Sequence, residues 1–226
     1  MDQVEIRRLS QELQISPVEI IREEVEMVTL EYLSQSKAGR NLIFKGGTAL
    51  RLCYQSPRFS QDLDFNQKGR LMVNEVKEGL VKLTKDNQEI SLKDWKNKRN
   101  TLFGLLLVKS EWIKQAFSIK IEISKKKYRY KTGDYGLKVC RSLTSQLSPL
   151  FYVYSLERIL KEKKMAIKSR LQPRDYFDAW LVAEKLGLSL SLPKPKIHSS
   201  KFKGEINQLL PDKWKHWSSE FLSQYE

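Results

Sequence analysis

Residues 42–65 constrain this chain more tightly than any other stretch. An apolar run, Leu42-Ile43-Phe44, enters the turn Gly46-Gly47-Thr48. A short helical stretch, residues 49–54, follows, and a second extended run carries Asp62 and Asp64. On a strand alternate side chains share a face, so the two carboxylates point one way while Leu63 and Phe65 point the other. Adjacent acids repel each other, and a divalent cation neutralises that repulsion. Paired glycines leave backbone N–H groups bare enough to hold phosphate oxygens. The alternative is a surface turn with two solvated aspartates, against which the bulky apolar flanks argue. Metal carboxylates beside a phosphate cradle point to chemistry on a nucleotide, and Lys45 and Arg58 flank the same loop as candidate phosphate contacts or plain surface charges.

Charge is the second signal. The net charge of +14 is unevenly placed: residues 1–90 hold 13 Lys/Arg against 14 Asp/Glu, and residues 91–226 hold 28 against 13. An excess confined to the later part of the chain fits a polyanionic partner, because Lys and Arg displace condensed counterions from a phosphate backbone; a solvated basic surface is the plainer reading. At 40% hydrophobic residues the chain has a globular composition. Its longest apolar runs fall short of a membrane span, its N-terminus lacks a signal peptide, and two cysteines and two histidines, widely scattered, make neither a disulfide framework nor a zinc site. These features imply a cytoplasmic protein.

Hydrophobic periodicity lays out the rest. Residues 17–35 read as a helix, with Val18, Ile21, Val25, Val28, Leu30 and Leu33 as its apolar stripe and acids opposite. Residues 72–83 read as another helix. Residues 101–108 and 117–124 read as paired strands, the second alternating Ile119, Ile121 and Ile123 with Ser118, Lys120, Glu122 and Ser124. Residues 137–140 suggest a short strand. Residues 125–131, Lys-Lys-Lys-Tyr-Arg-Tyr-Lys, are either a solvated hairpin loop or a surface for RNA backbone and stacking. Residues 155–171 and 174–186 form two helices broken around Pro173, residues 192–200 a linker, and residues 202–225 a terminal helix anchored by Trp214, Trp217 and Phe221. The boundary falls near residue 150, giving a core of 1–150 and a helical domain of 151–226.

One lysine stands out in the later helices. Leu156, Ile159, Leu160 and Ile167 define an inward stripe, and Lys163 falls on it. A lysine on an inward face needs an anionic partner, either a nucleotide phosphate or Asp175 beyond the turn. Asp175 and Asp178, three residues apart, share a helix face. Lys163, Arg174, Asp175 and Asp178 are thus either part of a site or a buried ion network that joins two helices.

The wording Phe44-Lys45-Gly46-Gly47-Thr48-Ala49-Leu50, with Arg58-Phe59-Ser60-Gln61-Asp62-Leu63-Asp64-Phe65, resembles the AbiEii/AbiGii toxin family of the nucleotidyltransferase superfamily, found in abortive-infection and type IV toxin–antitoxin operons. The block from Glu162-Lys163 through Arg170 to Arg174-Asp175-x-x-Asp178 resembles the family's second pattern, Glu-Lys, then Arg, then Arg-Asp-x-x-Asp. The resemblance implies an α/β (α+β) fold, a nucleotidyltransferase-like mixed sheet with flanking helices and a helical C-terminal part. It implies Asp62 and Asp64 as ligands of Mg²⁺ or Mn²⁺, with Glu122 as third carboxylate and base; the plainer reading of Glu122 is a partner of Lys120 or a solvated face. Gly46, Gly47 and Thr48 would hold the triphosphate, and Lys163 and Asp175 would act in catalysis, with Arg174 and Asp178 in support. The implied activity is transfer of a nucleotide from an NTP to an RNA, tRNA foremost, blocking translation or growth as in phage defence, with an AbiEi-type antitoxin as partner. The rivals are a non-catalytic nucleotide- or RNA-binding inhibitor and transfer to a protein hydroxyl.

Overall fold

The computed structural model describes residues 1–225. Its strands are β1 (Leu42–Lys45), β2 (Asp62–Gln67), β3 (Ile90–Asn97), β4 (Thr101–Val108), β5 (Phe117–Ser124), β6 (Tyr135–Val139) and β7 (Leu150–Tyr154). Its helices are α1 (Gln3–Leu13), α2 (Pro17–Gln35), α3 (Gly46–Tyr54), α4 (Val73–Asp86), α5 (Leu156–Arg170), α6 (Pro173–Leu186), α7 (Ser199–Asn207) and α8 (Trp217–Ser223). The strands form one mixed sheet in the order β3-β4-β5-β2-β1-β7-β6. The β2–β5 and β1–β7 pairs are parallel and the other neighbours antiparallel, including the expected β4–β5 pair.

Period-two alternation assigns the two faces of the sheet. Leu42, Phe44, Leu63, Phe65, Ile119, Ile121 and Ile123 join one core with Leu30 and Leu33 of α2 and Leu80 and Leu83 of α4. On the other face Ile43 and Tyr154 pack with Ile159, Leu160 and Ile167 of α5, Phe177 and Val182 of α6, and Phe202, Trp217 and Phe221 from the C-terminal helices. Asp62, Asp64, Lys120 and Glu122 alternate with the first core's residues and therefore face this second layer.

Three readings need correction. Residues 202–225 are not one helix: α7 ends at Asn207, a 3-10 turn spans Asp212–Trp214, and α8 starts at Trp217. Pro211 has no N–H to continue a helix; the aromatic anchors still pack, Trp217 on Phe221 at 4.8 Å between ring centroids. Residues 125–131 are not a hairpin loop, because β5 and β6 are separated in the sheet by β2, β1 and β7. The segment passes the ends of those strands, where the Tyr130 ring packs on Tyr135 and Tyr154. On α2 the acids are not all outward: Glu19, Glu23 and Glu26 are buried. Glu23 accepts from Arg51 at 2.7 Å and from Ser142 at 2.5 Å, whereas Glu26 Oε1 has no hydrogen-bond partner.

Cys53 and Cys140 are free thiols whose sulfurs lie 3.2 Å apart. Among the described residues no helix is long and apolar enough to cross a membrane.

Candidate active site

The site begins at the β1–α3 junction. Gly46 has φ +82°, and a Cβ there would lie 2.6 Å from Asp64 Oδ2; only glycine lets this carboxylate close on the turn. A Cβ on Gly47 would run into the Arg58 guanidinium and lie 2.7 Å from Ser60 Oγ. Lys45, at the N-cap of α3, makes no side-chain cap, so the first N–H groups of the helix are open to an anion.

Sheet register sets the acids. Lys45 pairs with Asp64 across β1 and β2, Asp64 with Glu122 across β2 and β5, and Asp62 with Lys120. Lys45, Asp64 and Glu122 thus form one row on one face, with Asp62 and Lys120 in the next. Lys120 Nζ lies 3.0 Å from Glu122 Oε2 and 3.4 Å from Asp62 Oδ2. Desolvation and then the neighbouring Asp62 charge push the Asp64 carboxyl above the ordinary range, against the pull of Lys45 and Lys120. Burial would lower Lys120, but the hydrogen bond to Glu122 and the charges of Asp62, Glu122 and Asp64 leave it raised.

The opposite wall comes from α5 and α6. Lys163, on the inward stripe with Ile159, Leu160 and Ile167, reaches Asp175 Oδ1 at 3.0 Å and Asp178 Oδ2 at 2.5 Å. Arg170 at the end of α5 grips both oxygens of Asp175, at 2.7 and 2.8 Å. Asp178 receives two more bonds from Arg58, both 2.8 Å. Burial would raise Asp178, yet the charges of Arg58 and Lys163 and their hydrogen bonds hold it down at about 2. Burial likewise opposes the Arg170 and Lys163 contacts at Asp175, which ends below the ordinary carboxylate value.

Between the two walls lies a cleft of about 320 Å³ lined by Lys45, Gly46, Gly47, Arg58, Ser60, Asp62, Asp64, Lys120, Glu122, Glu162, Lys163, Ala166, Ser169, Arg170 and Arg174. The paired aspartates lie on the sheet side, and Lys163, Arg170 and Arg174 lie across from them. Such polarity suits a cation and a polyphosphate bound together.

Ten of the twelve residues singled out from the sequence line this cleft or its turn: Gly46, Gly47, Lys45, Arg58, Asp62, Asp64, Glu122, Lys163 and Arg174 directly, and Asp175 through its grip on Lys163 and Arg170. Several have other work than expected. Thr48 is fully buried and donates its hydroxyl to the Asp62 carbonyl at 2.5 Å, so it ties α3 to β2 rather than facing phosphate. Arg58, 1% exposed, has its guanidinium committed to Asp178 and the Phe59 carbonyl; it is a structural cation under the turn. Asp178 is wholly buried as its partner. Arg174 bonds Gln172 at 2.9 Å and stands apart from the ion network.

For a divalent cation, hard oxygen donors are needed. Asp62 and Asp64 supply them side by side, and the Gly46 turn makes room for the Asp64 carboxylate. Glu122 is opposite Asp64 but bound to Lys120, and among the described residues no three His, Cys, Asp or Glu side chains are gathered as a metal-holding group. The aspartate pair fits as protein donors, with water and substrate oxygens left to complete the shell; Glu122 stands outside it in this arrangement. Lys120 and Arg170 were missed as site residues. Lys120 was legible as the i−2 neighbour of Glu122 on the same strand face, and Arg170 as one of the basic residues in the last turn before Asp175.

Solved structures share this fold at low identity. JHP933 from Helicobacter pylori is 18% identical with a TM-score of 0.55, over 93% of this chain and 96% of that one. MenT4, a nucleotidyltransferase toxin from Mycobacterium tuberculosis H37Rv, is 17% identical with a TM-score of 0.59, over 91% of this chain and 72% of that one. An arginine–tRNA ligase of Coxiella burnetii (strain CbuG_Q212) is 29% identical over 109 residues, which is 47% of this chain and 17% of the ligase. The chain thus aligns with less than a fifth of the length of the curated relatives it matches. The family model for the nucleotidyl transferase AbiEii toxin of type IV toxin–antitoxin systems matches residues 29–206, and the chain belongs to that family.

Proposed function

We propose that this toxin-family chain is a divalent-metal-dependent nucleotidyltransferase that moves a nucleotide from an NTP onto an RNA acceptor, with tRNA the first acceptor to test. The observation that carries the reading is convergence. Asp62 and Asp64 on β2, and Lys163 and Arg170 on α5, both held from behind by Asp175 of α6, line one cleft from positions about a hundred residues apart in sequence.

Asp62 and Asp64 would hold Mg²⁺ or Mn²⁺, which when bound neutralises charge on the phosphates and on the leaving oxygen. The N–H groups of Gly46 and Gly47 at the start of α3 would hold phosphate oxygens. Lys163 and Arg170 present cations to the same phosphates; Asp175 orients both, so its role is positioning. Glu122, partly exposed and opposite Asp64 across the β2–β5 pair, would take the proton from an incoming hydroxyl. Two features favour RNA as acceptor: the basic excess beyond residue 90, and the exposed segment 126–129, whose Tyr128 ring lies 5.7 Å from the Arg158 guanidinium. A cognate antitoxin follows from the family and would be the partner that restrains this activity.

The test is incubation with each labelled NTP, Mg²⁺ or Mn²⁺, and tRNA. Wild type should label the RNA, and Asp64→Asn should reduce labelling by at least about a hundredfold, the scale of losing a charge-stabilising group at a reacting phosphate. Undiminished labelling by Asp62→Asn/Asp64→Asn would sink the assignment. Label that stays on protein after nuclease treatment would move the acceptor from RNA to a protein hydroxyl.

A further inference from the structure

The acidic cluster in the cleft already contains a cation. Lys120 reaches from β5 across the sheet face and places its ammonium 3.4 Å from Asp62 and 3.0 Å from Glu122. Register explains why: Asp62 is its direct partner on β2, and Glu122 lies two residues on along its own strand. On the other side of Asp64, Lys45 is its register partner on β1, but the Lys45 ammonium turns to Glu162 at 3.3 Å. The Lys120 side chain is 36% exposed, so it has a path out to solvent. A flexible four-carbon stem with a compact charge is suited to such movement, where a rigid guanidinium is not.

We infer that Lys120 is a built-in counter-ion of the acidic cluster, one that competes with the divalent cation for Asp62 and gives way when the cation enters. The inference rests on the metal-binding reading of Asp62 and Asp64. Two cations cannot share the Asp62 carboxylate at this range without strong repulsion, so entry of the metal must displace the ammonium. Displacement also frees Glu122, whose carboxylate is otherwise committed to Lys120. Lys120 therefore couples loading of the cleft to release of the one carboxylate placed to accept a proton. It is a positioning residue.

The wild-type chain, Lys120→Gln, Lys120→Arg and Asp62→Asn/Asp64→Asn, each stripped with chelator, would be titrated with Mn²⁺ alone, following free Mn²⁺ by electron paramagnetic resonance. Removing a competing charge at this distance should tighten Mn²⁺ binding by Lys120→Gln about five- to tenfold, while Lys120→Arg, which keeps the charge on a group less suited to withdraw, should bind Mn²⁺ no more tightly than wild type. Thermal melts supply a second readout. Without metal, Lys120→Gln should melt below wild type, because Asp62 and Glu122 lose their counter-ion; saturating Mn²⁺ should close the gap. A lysine that only supports the fold would lower both stability and Mn²⁺ affinity, and that pattern overturns the inference, as does unchanged affinity. If no variant binds Mn²⁺ more tightly than Asp62→Asn/Asp64→Asn, the metal reading itself fails and the inference falls with it.

Discussion

Gly46 carries two constraints at once, a φ of +82° and an Asp64 oxygen in the space a Cβ would need. Gly133, with φ +89° and open space around it, carries only the first, which makes it a control. Gly133→Ala should cost about 1 kcal/mol, the conformational penalty alone, and leave activity intact. Gly46→Ala should cost more, about 2–3 kcal/mol, and abolish Mn²⁺ binding because Asp64 must move. Urea unfolding alongside Mn²⁺ titration separates the two; equal effects from both substitutions would remove the close approach from the argument. Glu26 provides a residue-scale test of a different kind. Burial, and then the Glu23 charge, push its carboxyl well above the ordinary value. A carboxyl raised in the folded state costs nothing below its unfolded value near 4.3, and a growing amount as pH rises toward its folded value. Glu26→Gln should therefore stabilise the protein more at pH 8 than at pH 4.5, measured by thermal melts; an equal shift at both would refute burial of a titrating group. Of these residues the aspartates were legible because alternation on a strand is a local rule. The burial of Arg58 was not, because its partner Asp178 is 120 residues away.

The α5–α6 hairpin is the element that turns one face of the central strands into a cleft. α5 ends in the left-handed Leu171, Pro173 starts α6, and Asp175 falls in the first turn of α6, where a helix dipole favours an acid. One turn further, Asp178 fastens α6 to the loop before β2 through Arg58. Its neutral replacement Asp178→Asn takes from buried Arg58 its carboxylate partner and leaves Lys163 with Asp175, and should cost about 3–5 kcal/mol. The sign of its pH dependence follows from a folded value of about 2 against an unfolded value near 3.9. The stability Asp178 contributes is present above pH 4 and is lost as pH falls through 2. The gap between wild type and Asp178→Asn should be constant from pH 7 to 5 and shrink below 4, measured by urea unfolding; a constant gap down to pH 2.5 would mean the carboxylate is not what stabilises the hairpin. The two helices and the inward position of Lys163 were legible from a 3.6-residue stripe and a proline. β3 and β7 were not: β3 is a polar edge strand with a weak alternating pattern, and β7 is five residues whose place in the sheet is set by a parallel pairing with the distant β1.

Across the whole molecule, charge and aromatic side chains are arranged around the cleft in a way that local periodicity does not encode. The segment between β5 and β6 is basic in sequence, but only the strand order shows that it spans from the sheet centre to its edge. There Tyr128 lies against Arg158, Arg158 reaches Glu162 at 3.8 Å, and Glu162 meets Lys45 at the cleft. Under the proposed RNA-acceptor reading, this line of contacts marks the route a strand would take from the exposed Tyr128 toward the acids. Lys126, Lys127, Tyr128 and Arg129 are exposed, so replacing them tests the surface without disturbing the core. Each cation that contacts a phosphate releases counterions, and single-stranded RNA binding should lose about 0.7 in log–log salt slope per contact removed. Lys126→Ala/Lys127→Ala/Arg129→Ala should therefore flatten the slope by about 2 while leaving Mn²⁺ binding at Asp62 and Asp64 unchanged. Tyr128→Ala should weaken RNA binding by about 1–3 kcal/mol with the slope unaltered, because stacking carries no counterion term. Fluorescence anisotropy of a labelled single strand across 50–300 mM salt reads both quantities. A triple variant that keeps the wild-type slope would move the RNA path off this face, to the basic residues of the C-terminal helices.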